Sequence, residues 1–411
     1  MNLPFFIARR IATNEQKSFS RFIIRLSIAA TIISVAVMIV TLSFVNGFQE
    51  TVSNKVFSFW GHVRVQYRQP QKATIAEEIP IQKDTQLART IAALPQVQSV
   101  QPFATKYAIL KTPIEMEGLL LKSFEDSMGF SNLSLFLKKG RWITFNDSTY
   151  AREIAISEYT ANQLQLNLND NVLIYFVRPN GTLRPDKFTV VGIYKTGIEE
   201  YDKTFALADI KLIRRLNNWK EDEIGGYEIF LKDYTQMDDV SYTIYEQQTF
   251  PQFWETKTVR EIYPNIFDWL GIISNNGHVL ITIMIIIAAI NFITCLIILV
   301  LERVRMIGTL KALGATDWTI QKIFLQHSVL ITLSGIFFGI VIALSLLWLQ
   351  QKTGFVHLDE DAYYMQTAVV KIDWQQVGWI AMGTLAISVL VLLIPSFLVK
   401  KIQPVKAMRF S

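Results

Sequence analysis

"LERVRMIGTLKALGATDWTIQ", residues 301–321, is a short basic stretch set between two long apolar runs. It is too polar to lie in a hydrocarbon core and too short to fold alone. Its meaning depends on the runs that flank it. About 20 apolar residues suffice to cross a core roughly 30 Å thick. The chain has four such runs, which place spans at 22–45, 279–301, 323–349 and 377–399. The 411 residues are 51% hydrophobic with mean hydropathy +0.27, and the excess is concentrated in these runs. Four runs of this length indicate a membrane protein rather than buried core helices.

Orientation follows from the flanking Lys and Arg residues. Arg9, Arg10, Lys17, Arg21 and Arg25 precede or open the first span, against Glu15. Arg303, Arg305, Lys311 and Lys322 lie between spans two and three against Glu302 and Asp317, and Lys400, Lys401, Lys406 and Arg409 follow span four with no acid. The 350–376 loop instead carries Asp359, Glu360, Asp361 and Asp373 against Lys352 and Lys371. This asymmetry predicts two cytoplasmic termini, 1–21 and 400–411, and a cytoplasmic segment at 302–322. It puts 46–278 and the 350–376 loop outside. The net charge of +5 and pI near 9.0 follow from that topology, so no nucleic-acid partner is expected. The first span exits through "SFVNGFQE" (43–50), which lacks a small-x-small cleavage site, and reads as an uncleaved anchor. Its leader, "LPFFIARRI" (3–11), suits a short interfacial helix.

The 46–278 block reads as α+β. "HVRVQ" (62–66), "REIAIS" (152–157), "NVLIYFV" (171–177), "KFTVVGIY" (187–194) and "GYEIFLK" (226–232) have strand composition. "DTQLARTIAALP" (84–95), "SEYTANQLQL" (157–166), "ADIKLIRRLNNW" (208–219) and "QMDDVSYTIYEQQ" (236–248) have helical spacing. The expected division is a core of 46–125 and 225–278 with an inserted subdomain at 126–224. The only cysteine, Cys295, falls in span two, so the block would fold without disulfides. Asn180-Gly181 between two strand patterns predicts a hairpin corner. Pro179 and Pro185 are expected to stop the ladder near the turn, and Arg178 and Arg184 make the tip basic. That tip reads as an ordinary surface hairpin or as a docking finger.

Candidate chemistry is sparse. No P-loop pattern is present, and His62, His278, His327 and His357 are scattered without metal-ligand spacing. The chain is therefore expected to be non-catalytic, with no metal site. Gly335 and Gly339 form a small-residue helix-packing pattern in span three.

Within the opening stretch, Val304, Ile307 and Leu310 recur at helical spacing, Gly314 is a stop and "ATDW" (315–318) starts the next helix. Glu302-Arg303, Ile307-Gly308, Leu310 to Ala315, Ile320 and Ile323-Phe324 together resemble the cytoplasmic coupling segment of FtsX/MacB-type ABC transporter permeases. The likeness continues elsewhere. "KIQPVKAMRF" (401–410) is similar to the C-terminal signature of the same wider family, and "NGFQETV" (46–52), "FTVVGIYKTGIEEYD" (188–202), "YPNIFDWL" (263–270) and "KIDWQQV" (371–377) are similar to the lipoprotein-releasing (LolC/LolE-type) branch.

The resemblance implies a one-plus-three arrangement of spans around a large periplasmic domain in the inner membrane. It implies a separate cytoplasmic ATPase dimer, because the macrolide-exporter relatives carry theirs fused at the N-terminus and only a short leader precedes span one here. ATP and Mg would be bound by that partner, with no cofactor in this chain. A second permease subunit, triacylated lipoproteins and a periplasmic carrier would complete the system, working by mechanotransmission. The implied ATPase-coupling residues are Glu302, Arg303, Arg305, Ile307, Gly308, Leu310, Lys311, Ala312 and Gly314. An acyl-chain gate would use Val37, Ile39, Val40, Phe44 and Phe48 of span one with Ile281 and Ile285 of span two. The hairpin residues Arg178, Pro179, Asn180, Gly181, Arg184 and Pro185 would dock the carrier. An FtsX-like relay activating a cell-wall hydrolase, or a MacB-like export permease, are the alternative readings.

Overall fold

A computed structural model describes residues 19–69, 77–146, 149–177 and 182–396. The expected interfacial helix of the leader and the tail at 400–411 lie outside these residues. The described chain forms two compact units. One holds Leu270–His357 with the described parts of Met1–Gln49 and Thr367–Ser411; the other is Glu50–Trp269 with Leu358–Gln366.

In the first unit the apolar runs are helical, because only a helix satisfies its own backbone in lipid without neighbours. Four helices among the described residues are long and apolar enough to cross a membrane. They run Phe19–Trp60, Pro264–Glu302, Asp317–Thr353 and Trp374–Ser396. The first continues well beyond the 22–45 run, since hydropathy marks only the apolar part of a helix. Helices one and three meet closely at the two glycines of the packing pattern. A Cβ on Gly335 would fall 2.6 Å from Thr31 Cβ, and one on Gly339 would fall 2.9 Å from Val35 Cβ. Val35, Met38, Ile39, Ile336, Ala343 and Leu347 are buried around this crossing. Asn291 of helix two donates to the Ser27 carbonyl at 3.2 Å.

The second unit is built on strands β1 (Val63–Tyr67), β2 (Ile81–Gln82), β3 (Val97–Lys111), β4 (Met116–Phe124), β5 (Leu137–Gly140), β6 (Glu153–Ser157), β7 (Asn171–Val177), β8 (Leu183–Tyr194), β9 (Phe205–Asp209), β10 (Glu223–Ile224), β11 (Gly226–Leu231) and β12 (Trp254–Thr258). Ten of them form one sheet in the order β12-β1-β11-β3-β4-β9-β6-β8-β5, with β7 joining β3 to β8; β2 and β10 pair separately. The pairings β3–β4, β4–β9, β9–β6, β6–β8, β8–β7 and β7–β3 close on themselves into a small barrel. Closure removes exposed edges. The interior is filled by residues including Leu110, Leu121, Ile156, Ile174, Phe176, Phe188 and Val190. β3 and β4 come from the expected core and β6 to β9 from the expected insertion, so the line between them runs through the barrel. Short helices cover the strands, and local polar groups fix their starts: Asp84 accepts from the Gln86 and Leu87 amides, and Asp209 from the Lys211 amide.

Pro185 corrects one expectation. The ladder does not stop there: Tyr175 pairs with Pro185, Phe176 with Arg184 and Val177 with Leu183. Among the described residues, 183–188 of β8 pair with β7 alone, so a proline there need not forfeit a ladder bond on its other side.

Where β12, β1 and β11 extend the sheet past the barrel, one face carries buried charge. Lys122 on β4 is fully buried, and its ammonium lies 2.8 Å from both carboxylate oxygens of Glu228. Arg64 on β1 is paired across the ladder with Glu228 and bridges Glu78 at 3.2 Å. Burial pushes Lys122 down to about 8 against the pull of Glu228. Burial likewise pushes Glu228 up against Lys122 and Arg64.

The segment Leu358–Gln366, drawn from the loop between spans three and four, belongs to this same unit. Glu360 bridges Lys195 at 2.7 Å, Lys55 donates to the Tyr364 carbonyl at 2.7 Å, and the Trp269 ring meets Tyr364 edge-on at 5.3 Å. Tyr364 takes a left-handed backbone, φ 58°.

His62 follows the first helix and stacks on Phe57 at 4.2 Å. Its Nδ1 accepts from the Leu231 amide at 3.0 Å, which requires a neutral ring. Burial lowers its pKa to about 4, against the pull of Asp233. The unfolded chain therefore binds more protons between pH 6.5 and 4. The contribution is fully present above pH 6.5 and is lost as pH falls towards 4, by about 3 kcal/mol in total. Thermal unfolding of the full chain and of His62→Gln across this range should show a wild-type acid-linked loss that the variant lacks.

Candidate functional site

The opening stretch folds into a compact turn of helix between two spans. The second-span helix ends at Glu302, and Arg303 leaves the helical conformation with φ −103° and ψ 20°. A new helix then runs Val304–Ala312. It stops at Gly314, whose φ is +88°. The Ala315 amide donates to the Leu310 carbonyl at 2.9 Å and the Gly314 amide to Lys311 at 3.0 Å. This is the paired bonding that satisfies the last carbonyls of a helix ending in a left-handed glycine. Two residues on, the Thr316 side chain accepts from the Thr319 amide and starts the third-span helix. Lys311 bridges Asp317 across the turn at 2.9 Å.

One face of the segment is inward. Ile307 and Gly308 are buried. Ile307 packs with Phe292, Leu296 and Leu299 of the second-span helix and with Ile320 and Phe324 of the third, while Met306, Leu310 and Ala315 line the same cluster. Glu302, Arg305, Thr309, Ala312 and Gly314 are exposed; Arg303 and Lys311 are half-buried. The nine coupling candidates thus divide into an inward group that positions the segment and an outward group that can meet a partner. Leu313 and Trp318, absent from the sequence-derived set, are 79% and 56% exposed on this surface. Their signal in the sequence was an apolar side chain next to the glycine stop and another just after the threonine cap. The surface offers cations and two large apolar side chains, a recognition chemistry rather than a catalytic one. Among the described residues no group of three or more His, Cys, Asp or Glu is placed to hold a metal ion.

Five of the gate candidates come together. Ile39 is buried, and Val40, Phe44, Ile281 and Ile285 pack around the same apolar cluster as Ile336 and Leu347 of helix three. Val37 is half-buried, and Phe48 is buried. Of the hairpin candidates, Arg178, Pro179, Asn180 and Gly181 lie outside the described residues. Arg184 is half-buried and Pro185 exposed, both on β8.

The FtsX-like permease C-terminal family matches residues 278–404, which include the 302–315 segment and the three later spans. The MacB-like periplasmic core domain family matches residues 26–243, more than half of the chain. The chain belongs to the FtsX/MacB-type permease family. As such it is a multi-pass inner-membrane permease with a periplasmic core domain between its first and second spans. It is 23% identical over 426 residues, covering 99% of each chain, to the lipoprotein-releasing system transmembrane protein LolE of Haemophilus influenzae. It is 24% identical over 421 residues to LolC of Xylella fastidiosa, covering 98% of this chain and 97% of that one. The periplasmic region of MacB from Actinobacillus actinomycetemcomitans aligns with 50% of this chain and 91% of its own, at 14% identity and a TM-score of 0.34.

A Cβ at Gly314 would meet nothing within 4 Å, so its requirement is backbone conformation alone. In this permease Gly314→Ala should cost about 1 kcal/mol. Amide exchange at Ala315 should rise about fivefold, and Gly314→Asn should be milder because asparagine tolerates this conformation.

Proposed function

We propose that this chain is the permease subunit of an ABC transporter that extracts lipoproteins from the outer leaflet of the inner membrane and hands them to a periplasmic carrier. The observation that carries this reading is the match to proteins named for lipoprotein release over 99% of both chains, with spans, coupling segment and periplasmic core all included. Withdrawing acyl chains costs about 0.8 kcal/mol per methylene, far beyond thermal energy for a triacylated anchor, so an energy source is required. No nucleotide-binding pattern occurs in this sequence, and the energy comes from a separate cytoplasmic ATPase dimer that binds ATP and Mg.

The ATPase meets the outward face of the coupling segment. Leu313 and Trp318 enter an apolar groove, and Arg303, Arg305 and Lys311 face an acidic rim. Closure of the ATPases on ATP pushes this segment, and the inward residues Ile307 and Leu310 pass the push to the second and third spans. A second permease subunit, a copy or a paralogue, completes the two-fold assembly. The cluster around Ile39, Phe44 and Ile281 parts to admit acyl chains, and the hairpin bearing Arg184 and Pro185 receives the carrier. Both termini lie in the cytoplasm, as the basic flanks direct.

Depletion of this chain followed by envelope fractionation should leave triacylated lipoproteins in the inner membrane while other outer-membrane proteins sort normally. Normal lipoprotein sorting would move the assignment to hydrolase activation or export. Arg303→Glu with Arg305→Glu should lower ATPase co-purification by at least about tenfold. An intact complex with unchanged turnover would remove these two residues from the contact.

A further inference from the structure

The far end of the first helix is fastened by charge as well as by apolar packing. The helix closes at Trp60, and Gly61, with φ +69°, turns the chain into β1. Lys122 donates to the backbone carbonyl of Phe59, in the last helical turn, and to both oxygens of Glu228 at 2.8 Å. The Trp60 indole lies 4.3 Å from the Lys122 ammonium and 4.6 Å from the Arg64 guanidinium. Arg64 in turn lies 4.0 Å from the Phe103 ring and bridges Glu78, whose carboxylate accepts from the Thr105 amide at 2.8 Å. Four ionised side chains from four pieces of chain are thus buried around one helix end, each exposed by 5% or less.

Such a set is a poor device for stability alone, because apolar residues of similar volume often hold a fold as well or better. What it supplies is register. A turn of the helix by one residue, about 100°, would carry the Phe59 carbonyl away from Lys122 and the indole out from between its two cations. It would leave a fully buried ammonium short of an acceptor. Apolar packing tolerates small rotations and slides; this arrangement does not.

We propose that Lys122 and Glu228, supported by Arg64 and Glu78, are positioning residues that lock the rotation of the first helix to the periplasmic sheet, so that a turn of this helix is delivered to the sheet rather than lost in slippage. The proposal rests on the transport reading above for its consequence, though the joint itself can be tested without cargo.

The test uses the full chain carrying Lys122→Met with Glu228→Met, which removes both charges and leaves Arg64 and Glu78 balanced. The comparison is Arg141→Met with Glu153→Met, an ion pair of 2.6 Å elsewhere in the unit whose arginine is 53% exposed. Both variants should keep a cooperative unfolding transition. Amide exchange at residues 57–61 of the purified chain should rise at least about tenfold in the first variant and stay unchanged in the second. In proteoliposomes with the ATPase, lipoprotein released per ATP hydrolysed should fall at least about fivefold in the first while hydrolysis continues. A folded first variant with unchanged exchange, or with an unchanged release ratio, overturns the proposal. If wild type itself releases no lipoprotein, the transport reading has failed and the exchange result alone decides the joint. Should the double variant not fold, Glu228→Gln, which keeps the shape, is read by the same two measurements.

Discussion

The Lys122 ammonium lies where water does not reach, and separate pieces of chain are arranged to answer it. Glu228 comes from β11, the Phe59 carbonyl from the end of the first helix, and Arg64 with Glu78 completes the charge balance. An unpaired ammonium at this depth is far more costly than a broken apolar contact. The path of the chain from Trp60 into β1, the β1–β11 register and the position of residues 77–78 are therefore fixed together. The interior of the barrel is simpler, filled by aliphatic and aromatic side chains such as Leu110, Ile156, Phe176 and Phe188.

This difference explains what the sequence made legible. Where burial follows apolar content, as in the four spans, "NVLIYFV" and "KFTVVGIY", pattern alone located the elements. β3 and β4 were not read as strands, and they carry Lys106 and Lys122, both essentially buried. A strand whose inward positions hold lysines shows no clean alternation, and only the folded sheet supplies their partners. β12, "WETKT", is polar for a related reason: it lies at one end of the sheet order, with β1 as its strand partner. Barrel closure was invisible for a different cause. It joins β3 to β7 and β4 to β9 across more than sixty residues each, and no local signal encodes such pairings.

The 302–315 segment was the most readable part of the candidate site, because its ends are set by local chemistry. Gly314 and Thr316 announce a stop and a start whatever surrounds them. Which side faces outward was not readable, since a helix flanked by two spans can bury either face. Ile307 and Leu310 line the interior, whereas Leu313 and Trp318, apolar by type, stand in the open. Residue type suggested the reverse for Leu313. The apolar cluster around Ile39 and Ile281 illustrates the same limit. A run of uniformly apolar side chains carries no mark separating those that touch a neighbouring helix from those that touch lipid.

The nine residues Leu358–Gln366 bear on how the protein can be taken apart. They are remote in sequence from Glu50–Trp269, yet they fold with it. A fragment cut at 50 and 269 would be a protein with a missing piece. Lys195 would lose the Glu360 carboxylate and Lys55 the Tyr364 carbonyl, while Trp269 would lose its ring neighbour. The natural unit of excision is discontinuous, Glu50–Trp269 together with Leu358–Gln366.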